Sequence, residues 1–344
     1  MTGCAIPDLG IELAPVVDWL VDAELGVGPL RDVQALSGGT QNILLRLAYG
    51  DADLVLRHPP RHKRPESDSV ILREIRVLEA LGESRVPVPR LRAASPDPGI
   101  LGSVCYVTDF IEGFNPAEGL PHAFAQRLEW QRDLGLQMAD ALVALAAVPV
   151  TDFVAAGFRS PDGWLERQPA RWLEQLAGYE TGDLVEQGTV LSRWLTEHRP
   201  TIWQKGLIHG DYHLGNILVR PDEPRLAAVV DWELATLGDP LLDLAHLLVG
   251  WPVGNPHSSH ADLDAPGLPG RGALLERYIR SGGEVHDLDW YGVLAAFRLG
   301  VLLEGTYARS RRGLATPELG ARFHGLATHL FDRAKAISEG EPLV

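Results

Sequence analysis

Three side chains in the middle of the chain carry groups that could share one piece of chemistry: the carboxyl of Asp211, the amide of Asn216 and the carboxyl of Asp231. The stretch from His209 to Val219 reads HGDYHLGNILV, a polar loop that runs straight into the apolar run Ile217–Val219. Pro221-Asp222-Glu223-Pro224 then reads as a turn, and the chain returns through Leu226 to Val230 and ends at Asp231. If the two runs pair as an antiparallel hairpin centred on that turn, Asn216 lies opposite Asp231, and the preceding loop brings Asp211 to the same end. An acid, an amide and a second acid would then meet at one spot. Asn216 and Asp231 supply the hard oxygen ligands that Mg²⁺ takes, and Asp211 can orient a hydroxyl and receive its proton. That combination suits phosphoryl transfer, where positioning and charge neutralisation dominate. Taken singly, each of the three is equally well read as a turn cap or a loop end. The spacing and the intervening hairpin favour the shared role. His209 is expected to hold the loop by a hydrogen bond. A hydrolase-type metal cluster of His209, Asp211 and His213 is the alternative chemistry at this point.

The elements that must position these residues fall in two groups. Residues 11–25 read as an amphipathic helix, followed by strands at 33–36, 43–49 and 54–57, the last two joined by a Gly50-Asp51 turn. Between the first two strands lies LSGGTQN, where Ser37, Gly38, Gly39, Thr40 and Asn42 can bring backbone N–H groups close to phosphates. A helix is expected over 70–81, capped by Ser67 or Asp68 and closed by Gly82. On it Glu74 shares a face with Ile71 and Leu78, so this acid needs a buried partner, and Arg57 at the end of the preceding strand is the candidate. A cation on a strand paired with an acid on a helix is how kinases hold nucleotide phosphates. A strand over 103–110 follows. Asp109 to Glu112, with the backbone of Asp109 and Ile111, is placed to meet an adenine edge. Glu112-Gly113-Phe114-Asn115-Pro116 breaks the pattern and suggests a boundary, giving a nucleotide-binding lobe over 1–111 and a catalytic, substrate-binding lobe over 112–344.

After the boundary the chain turns helical. Leu128, Leu134, Met138, Leu142 and Leu145 form one stripe; helices are expected at 183–198, 240–250, 271–281 and from 287 to the end, with two short strands within 207–231. The Pro-, Gly- and His-rich stretch 252–272 reads as a long exposed loop. Asp239 before Pro240 reads as a helix cap, and Asp243, a turn later, as the tie between the catalytic loop and that helix. The sum is an α+β architecture of two lobes, a small antiparallel sheet first and a larger, mainly helical lobe second.

Composition bounds the partners. A formal charge of -15 over 344 residues disfavours nucleic acid and anionic membrane surfaces. The two cysteines, Cys4 and Cys105, make neither a metal cluster nor a disulfide framework. The N-terminal residues lack the basic start of a signal peptide, and no apolar run nears the ~20 residues of a membrane span. A cytoplasmic protein is expected.

The motifs SGGTQN, LVLRHPP, REIRVLEAL, VPVPR, HGDYHLGNIL and DWELATLGDPLLDLAH occur in an order that resembles the aminoglycoside phosphotransferase superfamily, over about residues 30–335. The resemblance implies the protein-kinase-like fold shared with choline kinases, a phosphoryl donor that is ATP or GTP, and Mg²⁺. It implies Asp211 as the catalytic acid/base, Asn216 and Asp231 as metal ligands, and Arg57, paired with Glu74, where a phosphate-holding lysine is usual. Arginine keeps the charge but differs in shape. The forms LRHPP, DWELATLGDPLLDLA and FRLGVLLEGTYARSRRG are similar to the branch found fused to acyl-CoA dehydrogenases, which implies a small-molecule hydroxyl of hydroxyacyl type as acceptor. An aminoglycoside O-phosphotransferase, and a catalytically weak protein that binds nucleotide or metabolite, are the alternatives. Trp232, Glu233, Trp251, His257 and Arg298 are placed to line the acceptor pocket.

Overall fold

The computed structural model describes residues 12–26, 28–36, 42–60, 63, 65–96 and 98–344. The chain divides into two compact units, Met1–Gly113 with Ala227–Ala235, and Phe114–Leu226 with Thr236–Val344.

In the first unit, α1 (Ala14–Asp22) precedes five strands: β1 (Leu30–Ala35), β2 (Ile43–Tyr49), β3 (Ala52–His58), β4 (Leu91–Ser95) and β5 (Cys105–Asp109). They form one antiparallel sheet in the order β1-β2-β3-β5-β4. Alternation along β2 turns Leu45, Leu47 and Tyr49 inward, where they meet Leu54, Leu56, Cys105 and Val107 and the α1 residues Val16 and Leu20. Helix α2 (Ser67–Leu81) buries Ile71, Ile75, Val77, Leu78 and Leu81, and Glu74 on the same side.

The expected cap of α2 is corrected: Glu66 is the cap position, with no side-chain cap bond. Asp68 instead accepts from Lys63 at 2.5 Å and from the Val104 N–H at 3.2 Å, so a tertiary contact takes the carboxylate that a local cap would have used. Gly82 closes the helix with φ -57, not in the left-handed conformation that favours glycine there. Strand β4 has no counterpart in the sequence reading, because LRAAS lacks the β-branched and aromatic residues that mark strands.

The second unit holds α3 (His122–Ala125), α4 (Leu128–Ala146), α5 (Val150–Ala155), α6 (Trp164–Ala177), α7 (Val185–Glu197), α8 (Leu241–Gly250), α9 (Arg271–Arg280), α10 (Leu288–Arg311) and α11 (Pro317–Ser338). Among them run β6 (Gly206–Ile208), β7 (Ile217–Val219) and β9 (Thr236–Gly238), while β8 (Leu226–Val229) belongs, after Leu226, to the first unit. β6 pairs antiparallel with β9, and β7 and β8 form the two-stranded hairpin that the PDEP turn anticipates.

Three expectations change. Leu128 heads α4 but is 52% exposed, so the buried stripe starts at Gln131 and Leu134. The run from 287 to the end is two helices, broken around Gly313 at φ 73. The 252–272 stretch is anchored, not simply exposed. The Trp251 indole donates to Pro269 O at 2.7 Å, the Gly267 N–H to Gln131 at 2.7 Å and the Ser258 hydroxyl to Gly250 O at 2.6 Å; Ala265 and Leu268 are buried. No helix among the described residues is long and apolar enough to cross a membrane.

Candidate active site

In the second unit the loop between β6 and β7 is fixed at almost every residue. Gly210 takes φ 87, a conformation open to glycine, which turns its N–H and that of His209 toward one side chain. Both N–H groups donate to the buried carboxylate of Asp243 on α8, at 2.9 and 2.6 Å. This is the tie expected of Asp243. Burial pushes the Asp243 carboxyl up to about 7, against those two donors. The Tyr212 hydroxyl donates to Met138 O at 3.0 Å. His209 is fully buried, and its Nδ1 accepts the Asp211 N–H at 3.2 Å.

Asp211 and Asn216 are brought together. The Asn216 amide nitrogen donates to Asp211 O at 2.9 Å and to Asp211 Oδ2 at 3.2 Å, which leaves the amide oxygen as the group able to ligate. Burial alone would raise the Asp211 carboxyl. The His213 hydrogen bond and the nearby His213, His246 and Arg298 outweigh it and hold the group far below the usual carboxylate range. The Gly215 N–H donates to His213 Nδ1 at 2.9 Å, so the proton of a neutral His213 sits on Nε2, which lies 3.5 Å from Asp211 Oδ2. His246 Nε2 lies 3.5 Å from Asp211 Oδ1, and burial pushes His246 down to about 3, so this ring is neutral at ordinary pH.

In the first unit Arg57 is the centre. Its Nη2 lies 2.6 Å from Glu74 Oε1, 3.1 Å from Asp231 Oδ1 and 3.9 Å from Glu233 Oε2. Burial disfavours the cation, but Glu74 and Asp231 among its neighbours more than compensate and raise it. Tyr106 donates to the other oxygen of Glu74 at 3.2 Å. Asp231 stands in the left-handed region, φ 64, directly before a short 3₁₀ turn, Trp232–Leu234. A non-glycine residue held there is a common mark of a functional position. Arg73 of α2 fixes that turn by donating to Glu233 O at 3.0 Å.

Glu74, Asp231 and Glu233 offer carboxylate oxygens within 4.8 Å of one another, the one cluster of this kind among the described residues. Hard oxygen donors of this sort fit Mg²⁺. Glu74 is already engaged by Arg57 and Tyr106, so Asp231, with its side chain 34% exposed, is the better ligand and Glu233 its neighbour. The alternative trio His209, Asp211 and His213 does not assemble as a metal cluster. Ser37, Gly38, Gly39 and Thr40 lie outside the described residues; Asn42 directly precedes β2. The N–H of Asp109 is bonded to Arg90 O at 3.0 Å and its carboxylate to Arg92 at 3.0 Å, so its backbone donor is already taken. Ile111, half-buried, follows two residues on.

Asp211 also lines a cavity of about 460 Å³ within the second unit, with His213, His246, His257 and His260 on its wall. Of the five residues placed at the acceptor pocket from sequence position, only His257 lines this cavity. Trp232 and Trp251 are buried, each with its indole N–H bonded to a backbone carbonyl. Arg298 is buried behind Asp211, and Glu233 belongs to the Arg57 cluster. His246, missed by the sequence reading, was legible as the residue three after Asp243 on the same helix.

A two-unit kinase-like fold with a loop-borne acid and amide defines a small-molecule kinase. This chain belongs to the phosphotransferase enzyme family, which it matches over residues 32–297. A crystal structure from Ralstonia eutropha JMP134, assigned to the aminoglycoside phosphotransferases, superposes with a TM-score of 0.76 and 26% identity, covering 94% of this chain and 98% of that one. Mouse acyl-CoA dehydrogenase family member 10 is 27% identical over 297 residues, covering 84% of this chain and 27% of that protein. The chain spans well under half the length of the curated relatives it matches. The fold is also that of aminoglycoside phosphotransferase APH(4)-Ia in a ternary complex with AMP-PNP and hygromycin B, with a TM-score of 0.60 at 18% identity over 93% of this chain and 98% of that one.

Proposed function

We propose that the chain moves the γ-phosphoryl group of ATP, or of GTP, to a hydroxyl of a small molecule of hydroxyacyl type, with Mg²⁺ held by Asn216 and Asp231. The observation that carries this reading is Asp211: an ionised carboxylate, bonded to Asn216, its side chain 31% exposed and lining a cavity large enough for a metabolite. AMP-PNP in the APH(4)-Ia complex supports a nucleotide as donor. The bound ion would neutralise charge on the phosphate oxygens.

The residues of the chain do the rest. Asp211 accepts a hydrogen bond from the acceptor hydroxyl and lines its oxygen up with the γ-phosphorus. That oxygen bonds to phosphorus as the bond to the β-phosphate oxygen breaks, and the hydroxyl proton passes to Asp211. The main contribution of Asp211 is orientation, which a loose transition state with late proton transfer tolerates. Arg57, fixed by Glu74, presents its guanidinium to the phosphates. The backbone of Ser37, Gly38, Gly39, Thr40 and Asn42 is the proposed phosphate cradle, with Asp109 and Ile111 near the base. Asp239, Tyr291 and Gln204 stay out of the chemistry: Asp239 is buried and accepts from the Leu241 and Gln204 N–H groups and the Tyr291 hydroxyl.

The test is transfer of label from [γ-³²P]ATP to a library of aliphatic and sugar alcohols, with and without Mg²⁺. Labelled product that requires Mg²⁺ is expected. Tight nucleotide binding with no transfer to any alcohol would make the chain a binding module instead.

A further inference from the structure

The same cavity carries features that the phosphotransfer step does not use. Leu299 and Leu303 lie one turn apart on α10, and Phe323, Leu326 and Leu330 follow at i, i+3 and i+7 on α11. Each helix therefore turns one face inward, and together they give the cavity an aliphatic wall. Two guanidinium groups line it as well, Arg271 at the start of α9 and Arg333 on α11.

The two arginines differ in one respect. Arg333 is engaged: it donates to the Glu341 carboxylate, to Pro342 O at 2.8 Å and to Leu343 O at 3.3 Å. Arg271 has no ion pair with any described residue, and its Nε is buried without a hydrogen-bond partner. Burial weakens its charged form and Arg333 weakens it further, so the two cations feel each other. In a chain of net charge -15, carboxylates are abundant, yet none among the described residues is paired with this half-buried arginine. Glu341 lies on the same cavity but is already paired with Arg333.

We propose that Arg271 reads an anionic group on the phosphoryl acceptor, whose aliphatic body lies along the α10–α11 wall and whose hydroxyl reaches Asp211. The acceptor is thus an anionic aliphatic alcohol, and Arg271 is the residue that sets its charge preference. This rests on the phosphotransferase reading of Asp211 but is tested without it. A polycationic aminoglycoside would meet Arg271, Arg333 and a hydrocarbon wall, the wrong partners for its ammonium groups. A guanidinium can hold a carboxylate or a phosphate through two parallel N–H donors, so either could be the anion.

Binding, not turnover, is the first readout. Isothermal titration of the full chain compares hydroxydecanoates with their methyl esters and with hydroxydecyl phosphates. The acids or the phosphates should bind about tenfold or more tightly than the neutral esters, the loss expected when a charged hydrogen bond is removed. Whichever anion binds better identifies the source. In Arg271→Gln that preference should collapse toward one, and Arg271→Lys should restore part of it, which a folding defect would not do. Transfer assays on the same ligands and on the alcohol library then separate the two claims: anion-selective binding with no transfer to any alcohol would leave the anion-reading role of Arg271 standing and remove the kinase reading. Equal affinity for acid and ester, no binding of any of them, or an undiminished preference in Arg271→Gln overturns it.

Discussion

Arg57 shows how a buried cation is held in place by carboxylates. Its guanidinium is buried to 8% exposure and sits 2.6 Å from Glu74, itself 1% exposed. Removing one partner from such a pair is strongly destabilising, because the other charge stays in a medium that solvates it poorly. Glu74→Ala should therefore cost about 3–5 kcal/mol in urea unfolding and raise the nucleotide KM. A loss under about 1 kcal/mol would mean that the pair behaves as an exposed one. The pair was legible because an acid on the apolar stripe of a helix demands a cation. The place of Glu233 in the Arg57 cluster was not, since nothing in its local pattern points to that cation. Trp232 and Trp251 were placed at the acceptor pocket by sequence position alone, which carries no such signal: both fill the interior and find carbonyls for their N–H groups.

At the scale of elements, the loop between β6 and β7 depends on α8. Asp243 accepts the N–H groups of both His209 and Gly210, two consecutive residues of this loop. Asp243→Ala would strand two buried donors, at about 1–3 kcal/mol each, and loosen the segment that carries Asp211. Loss of stability together with loss of turnover, at an unchanged nucleotide Kd, is expected. A variant with wild-type stability would show that water or another group replaces the carboxylate. The HGDYHLGNILV loop and the hairpin after it were readable because loop, strand, turn and strand follow each other within one short stretch. β4 and the β6–β9 pairing were not. The first is built from small residues, and the second joins segments of three residues each, about 30 apart in sequence, where local pattern carries no signal.

At the scale of the whole molecule, stability should follow pH with opposing contributions. His246 sits at about 3 when folded and near 6.5 when unfolded. Between those values the unfolded chain takes up a proton that the folded ring refuses, so its contribution to stability falls as pH drops below about 6.5. Asp243 runs the other way: at about 7 when folded, against an ordinary 3.8, its contribution falls as pH rises through that window. His246→Gln should thus lose less stability than wild type between pH 7 and pH 5, measured by urea unfolding, and parallel curves would contradict the assignment of a neutral buried ring. The two-unit plan of sheet then helices was legible from the order of patterns along the chain. The return of Ala227–Ala235 to the sheet unit was not, because chain order does not report which unit a hairpin strand joins. The most direct test of the whole account is Asp211→Ala in single-turnover transfer from [γ-³²P]ATP, with nucleotide Kd measured on the same samples. A drop of about 10²–10⁴-fold or more in transfer at an unchanged Kd is predicted; turnover retained within a few-fold of wild type would contradict it.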